Sequence, residues 1–203
     1  MANPNPYRLF LSPRSPFARR VRLALRRLGL PVLEHPLNVL ESNPDLEASN
    51  PLGLVPALIL PDGRALSDSS AILETLHDLH GGIWPERPTD RIEVRQASTL
   101  ATGLMQAAVS YFQETRMHEV PSPAWAQDHL MTVYRTLRYL AELRSDLWSR
   151  SGELTQAGWD LACALEYLEF RMPECRDTIP PSLKASLELA RMIPAFGETA
   201  PRI

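Results

Sequence analysis

Cysteine is nearly absent: Cys163 and Cys175 are the two among 203 residues. That is too few for a disulfide framework, and they lack the C-x-x-C spacing of a redox or zinc pair, so both read as packing thiols. The five histidines are scattered; only His77 and His80 share helical spacing, and no cysteine–carboxylate set surrounds them. No metal is expected. No apolar run approaches the roughly 20 residues that span a bilayer, and Met1–Pro6 lacks the basic and apolar blocks of a leader. No membrane partner is therefore expected, and cytoplasm is the expected location. Positive charge is not in excess either: the net charge is −3, which argues against nucleic acid as a partner. What remains is an ordinary globular composition, 44% hydrophobic and 22% charged, over a length suited to one large or two small domains.

The chain is organised around Leu11–Val21. The apolar run Tyr7–Leu11 predicts a strand, and Pro16–Leu28 predicts an amphipathic helix with Phe17, Val21, Ala24, Leu25 and Leu28 on one face. Arg19, Arg22, Arg26 and Arg27 fall largely opposite, as a solvated face would. Proline suits the first helical position, so Ser15 is the predicted N-cap, its hydroxyl beside unpaired backbone N–H groups. Such a site favours an anion. Ser12, three residues earlier, is the rival hydroxyl.

Further on, Val32–Val39 predicts a weaker strand that Pro36 assigns to an edge or bulge. Pro44–Asn50 predicts one or two helical turns, and Pro51–Leu54 a turn. Ala57–Leu60, Asp62-Gly63 and Ala65-Leu66 predict a hairpin. A helix capped by Ser67 or Asp68 follows, with Ile72, Leu73, Leu76 and Leu79 on one face, ending at Gly81-Gly82. Residues 1–82 thus form an α/β layer, and 83–89 a linker. Residues 90–203 show only helical periodicity. Arg91–His118 has Leu100, Leu104, Ala107, Ala108, Tyr111 and Phe112 on its core face. Ala124–Trp148 follows with Leu130, Val133, Leu137, Leu140 and Leu147. Thr155–Arg171 and Pro181–Met192 are two more helices, and Pro194–Ile203 is a tail of no strong preference. The two halves differ in class.

Ser12–Arg22 resembles the S-P-F/Y-x-x-R-V opening of serine-type glutathione transferases. Asn50-Pro51-Leu52-Gly53-Leu54-Val55-Pro56-Ala57-Leu58 is similar to N-P-x-G-K-V-P-x-L of that superfamily, and Asp68–Leu73 to its E/D-S-x-x-I helix start. Ala162–Arg171 resembles the A-C-A-L-x-Y-L-x-F-R of bacterial YibF-like members. The resemblance implies a thioredoxin-like N-terminal domain, an all-α C-terminal domain, and glutathione as cosubstrate. It assigns Ser15 as the catalytic hydroxyl donating to the glutathione sulfur. Val55, before a cis proline, offers its backbone to the cysteine part, and Asp68 and Ser69 hold the γ-glutamyl end. With no cysteine at Ser12 or Ser15, a mixed-disulfide mechanism has no resident nucleophile. A second-substrate pocket falls to Phe17, Met105, Tyr111, Phe112 and Arg116 by position.

The implied function is conjugation of glutathione to electrophilic small molecules, as in detoxification, by a cytoplasmic homodimer. A module with the same fold that binds glutathione or a partner without turnover is the alternative. Two departures from the family pattern stand out. Leu54 occupies the place of a lysine that helps hold the glycine carboxylate. Gly158, three residues after Thr155, replaces the acid of a helix capping box.

Overall fold

A first strand forms where the apolar run predicts it. In a computed structural model, which describes residues 5–202, Tyr7–Leu11 is β1, with Leu9, Phe10 and Leu11 buried. Most of the segment tested for a leader, and Ile203, lie outside the described residues. β1 lies inside a sheet of order β2-β1-β3-β4. It is parallel to β2 (Val32–Pro36) and antiparallel to β3 (Ala57–Ile59), which turns back into β4 (Ala65–Leu66). Pro36 ends the edge strand, where a missing N–H costs no central ladder bond.

Three helices complete this layer: α1 (Pro16–Arg27), α2 (Pro44–Ser49) and α3 (Ser69–His80). α1 and α3 pack together. Val21, Leu23, Ala24 and Leu25 of α1 and Ile72, Leu73 and Leu76 of α3 are fully buried, each large aliphatic stabilising by about 1.5–3 kcal/mol. Leu79, expected on the same face, is exposed. The thioredoxin-like arrangement expected for the first half is present.

Of the α1 arginines expected on a solvated face, Arg27 is exposed but Arg19, Arg22 and Arg26 are not. Arg22 donates to both carboxylate oxygens of Glu34 on β2, and Arg26 to one of them. Arg19 is buried against residues 196–199. Guanidinium stems pack like apolar chains while their forks satisfy carboxylates and carbonyls, so charge alone did not mark these positions as exposed. The chain forms two compact units, and the residues from Ala195 onward belong with those up to Ile83. The tail that carries no sequence preference includes a short helix, α8 (Pro194–Glu198), with Phe196 and Thr199 buried.

The second unit, Trp84–Pro194, contains α4 (Pro88–Arg116), α5 (Pro123–Ala141), α6 (Gln156–Arg171) and α7 (Pro181–Arg191). α6 packs on α4 and α7 and is buried on almost every side. Ser98 of α4 donates to Asp160 of α6, whose other oxygen accepts from Gln156. The helix expected to reach Trp148 stops at Ala141. A 3-10 turn at Ser145–Leu147 and a small hairpin, β5 (Ser149–Arg150) with β6 (Glu153–Leu154), replace its end. Ser151 and Gly152 both have left-handed φ, 51° and 83°, the requirement of a primed two-residue turn. Leucine periodicity had carried the helix on to Trp148, past its end at Ala141. Among the described residues no helix is long and apolar enough to cross a membrane.

Gly158 has a steric reason. A Cβ there would lie 2.0 Å from the Trp148 carbonyl oxygen. Thr155 caps α6 through Oγ1, which accepts from the Gly158 N–H and donates to the Leu147 carbonyl. The acid is lost from the capping box, and the space is filled by backbone instead. Gly158→Ala should destabilise the chain by about 3 kcal/mol, read as a lower urea midpoint at unchanged slope.

Glu34 gives a pH-dependent prediction. Burial pushes its pKa up, but hydrogen bonds and charge from Arg22 and Arg26 outweigh that and hold it below the ordinary value. A depressed carboxyl contributes stability above its unfolded pKa and loses it as pH falls through the folded one. Glu34→Gln should cost about 1–2 kcal/mol at pH 7. That deficit should vanish in unfolding curves taken below the ordinary glutamate range.

Candidate functional site

The sheet register gathers three chain segments at one end of the first unit. β1 and β3 pair Arg8 with Ile59, Leu9 with Leu58 and Phe10 with Ala57. Ala57, the last paired residue, directly follows the Val55–Pro56 loop, and Phe10 opposite it lies two residues before Ser12. β4 runs antiparallel to β3, so α3 starts at this same end.

The first segment is the turn from β1 into α1. The Ser15 N–H donates to the Ser12 carbonyl at 3.0 Å. Ser15 is extended, and its Oγ accepts from the Ala18 N–H at 3.2 Å while its carbonyl accepts from Arg19 N–H at 3.1 Å. The predicted N-cap is therefore present. The oxygen of the hydroxyl is held by a backbone amide, which leaves its proton to donate elsewhere. Ser15 is half-buried, whereas Ser12 is buried and its Oγ accepts only a long 3.4 Å contact from Arg14 N–H. Arg14 is half-buried beside them.

The second segment is the loop before β3. The Val55–Pro56 bond is cis. Val55 packs against the cluster of Phe10, Leu46, Ala57 and Ile59. Asn50, buried, organises the approach: Nδ2 donates to the Leu54 carbonyl at 2.7 Å and Oδ1 accepts from Leu52 N–H at 3.1 Å. The Leu54 side chain, by contrast, is 62% exposed.

The third segment is the start of α3. Asp68 is its N-cap, one carboxylate oxygen accepting from Ser70 N–H at 2.7 Å and Ala71 N–H at 3.1 Å. Ser69 is buried, and Arg20 of α1 donates to its hydroxyl at 3.1 Å and to that of Ser70 at 3.3 Å. Arg20, itself 1% exposed, thus ties α1 to the start of α3. The Ser67–Asp68 bond is also cis.

Arg20 and Asn50 are contributors that site reasoning from sequence did not single out. Signals existed. Arg20 lies three residues after Phe17 and four before Ala24, at the edge of the apolar face, and an asparagine before Pro-x-Gly is turn chemistry.

The residues assigned to a second substrate are spread over both units. Phe17 is half-buried at the start of α1. On α4, Met105 is fully buried, as a core residue is, while Tyr111 and Phe112 are half-buried and Arg116 is exposed. The Phe112 ring carries the Arg171 guanidinium 4.5 Å from its centroid. Burial, and then the charges of Glu174 and Cys175, push the Tyr111 phenol up. Among the described residues, no three His, Cys, Asp or Glu side chains gather where a metal could be held.

Residues 9–84 match the glutathione S-transferase N-terminal domain. The chain is 31% identical over 166 residues to the uncharacterized GST-like protein YibF of Escherichia coli K12, covering 77% of this chain and 79% of that one. Among solved structures, a glutathione S-transferase from Methylobacillus flagellatus KT with glutathione bound is similar, at a TM-score of 0.85 and 30% identity, over 97% of this chain and 100% of that chain. One from Methylobacterium radiotolerans JCM 2831, in complex with glutathione sulfonate, has a TM-score of 0.88 at 28% identity, over 98% and 96% of the two chains. A thioredoxin-like layer followed by a helical unit defines the class. The chain belongs to the glutathione S-transferase superfamily.

Removing the Asn50 side chain leaves the Leu54 carbonyl without that donor and the Leu52 N–H without its acceptor. Asn50→Ala should lower stability by about 2 kcal/mol in urea unfolding.

Proposed function

We propose that this chain is a glutathione transferase in which Ser15 stabilises the glutathione thiolate for attack on an electrophilic small molecule. The observation that carries this is the Ser15 cap: its oxygen is engaged by Ala18 N–H, so its proton is available to a sulfur anion at the helix start. A free thiol has a pKa of about 8.5 and is mostly protonated at neutral pH. A hydroxyl donor and the partial positive charge of a helix N-terminus both favour the thiolate. The thiol proton passes to solvent; the thiolate pair forms the C–S bond, and the bonding pair displaced at that carbon departs with the leaving group, or, in a conjugate addition, shifts onto the activating group and takes a proton from solvent.

The remaining groups hold the tripeptide. Val55 presents its backbone N–H and carbonyl as a neighbouring strand would. Ser69 offers N–H and hydroxyl to the γ-glutamyl carboxylate, with Arg20 behind it adding charge. The Asp68 oxygen that does not cap α3 accepts from the ammonium group. Tyr111, Phe112 and Arg116 are the proposed contacts for the second substrate; Met105, with no exposed surface, is not among them. A cytoplasmic homodimer acting in detoxification completes the proposal.

One observation favours a second reading. Leu54, exposed and uncharged, gives no cation to the glycine carboxylate, as expected of a module that binds weakly and does not turn over.

The test is conjugation of a general electrophile by wild type and Ser15→Ala. The variant should lose about 100-fold in kcat while calorimetry shows glutathione still bound. Equal activity in the variant removes Ser15 from the chemistry. Glutathione binding without conjugation by wild type selects the second reading, and no binding at all removes the transferase reading.

A further inference from the structure

The segment after the helical unit returns to α1 and is held by three of its arginines. The Arg19 guanidinium lies 3.8 Å from the centroid of the Phe196 ring. Its Nη2 donates to the Phe196 carbonyl at 2.8 Å and its Nε to Thr199 Oγ1 at 3.3 Å. Thr199 Oγ1 is in turn within hydrogen-bond reach of the Ala195 and Phe196 carbonyls. Arg22, one turn on, donates to the Thr199 carbonyl at 3.2 Å, and Arg26 pairs with Glu198 at 3.5 Å. Arg19, Phe196 and Thr199 are 4%, 1% and 0% exposed. A cation taken out of water is tolerated only while its partners are in place.

The same residue closes the first turn of the helix. The Arg19 N–H donates to the Ser15 carbonyl, and its neighbour Ala18 donates to the Ser15 hydroxyl. Side chain and backbone of one residue thus connect the tail to Ser15. α1 has other holds as well: Ala18, Val21, Ala24 and Leu25 in the core, Arg20 on Ser69 and Ser70 of α3, and Arg22 and Arg26 on Glu34. The first turn, where helices have fewest internal bonds, is linked to the tail through Arg19.

We propose that Arg19 and Phe196 are positioning residues for Ser15, and that residues 195–202 are a working part of the thiolate-stabilising site. This rests on the glutathione reading above. With the tail released, the helix body stays seated while its first turn shifts to solvate Arg19, and the Ser15 hydroxyl moves off the sulfur. A displacement of about 1 Å at a reacting group is enough to cost up to 100-fold in rate. The γ-glutamyl contacts at Asp68 and Ser69 belong to a different helix, so affinity suffers less than thiolate formation.

The experiment compares wild type, Phe196→Ala, Arg19→Lys and a chain ending at Pro194. The thiolate absorbance of bound glutathione is titrated against pH, and calorimetry measures affinity. Phe196→Ala and the truncation should raise the thiolate midpoint by about one pH unit, a tenfold loss of thiolate stabilisation, with the Kd for glutathione altered less than about threefold at a pH below the wild-type midpoint, where the bound ligand is the thiol. Arg19→Lys, which keeps the cation but loses the fork, should fall between them and wild type. Phe196→Tyr, which restores the ring, should restore the midpoint. Lower melting temperature with an unchanged midpoint overturns the proposal. If wild-type protein forms no thiolate complex, the glutathione reading itself fails. Hydrogen exchange over residues 12–22 then decides the positioning step: Phe196→Ala must speed it while leaving β1 unchanged, and equal protection in both proteins overturns it.

Discussion

The unpaired amides at the start of α1 are the constraint on which the candidate site depends. A helix leaves its first N–H groups without internal partners, and something must satisfy them. The Ser15 hydroxyl takes one, at Ala18, and the Ser12 carbonyl takes another, the N–H of Ser15 itself. Pro16 removes a third by having no N–H. This is ordinary capping, and by itself it makes no enzyme. It becomes a candidate site because the sheet register sets the cis Val55–Pro56 turn beside the strand that leads into it, and because β4 delivers Asp68 and Ser69 to the same end.

Charge on α1 is then divided with little left over. Arg20 points to the start of α3 and Ser69. Arg22 and Arg26 share Glu34, and Arg19 takes the returning tail. These are different uses of one residue type within two helical turns. The planar fork suits carboxylates, carbonyls and aromatic faces alike, whereas an ammonium would satisfy them less fully. A helix with so many arginines stays seated because nearly every one has a directed partner, not because the face is wet.

Much of this was legible from sequence. The first-half order of elements, the Ser15 cap and the Asp68 cap follow from proline placement, periodicity and cap chemistry, all of them local. Two of the failures share a cause. The arginine face and the buried tail were decided by contacts distant in sequence: Glu34 against Arg22, and Phe196 against Arg19. Composition had marked Pro194–Ile203 as featureless because its anchor is a single phenylalanine and a threonine. Periodicity had carried α5 onward because Leu147 is buried, but on a different element.

The two departures from the family pattern resolve differently. Gly158 is required: the position the acid side chain would occupy is filled by the Trp148 carbonyl, so the hairpin before α6 and the glycine form one packing solution. Leu54 has no such steric partner; its side chain faces solvent. Yet its carbonyl is held at 2.7 Å by Asn50, and the turn it precedes is intact. The backbone part of the candidate site is therefore insulated from what the side chain at this position is. The side chain at this position can change without disturbing how Val55 is presented, because the loop geometry rests on the Leu54 carbonyl and not on its side chain.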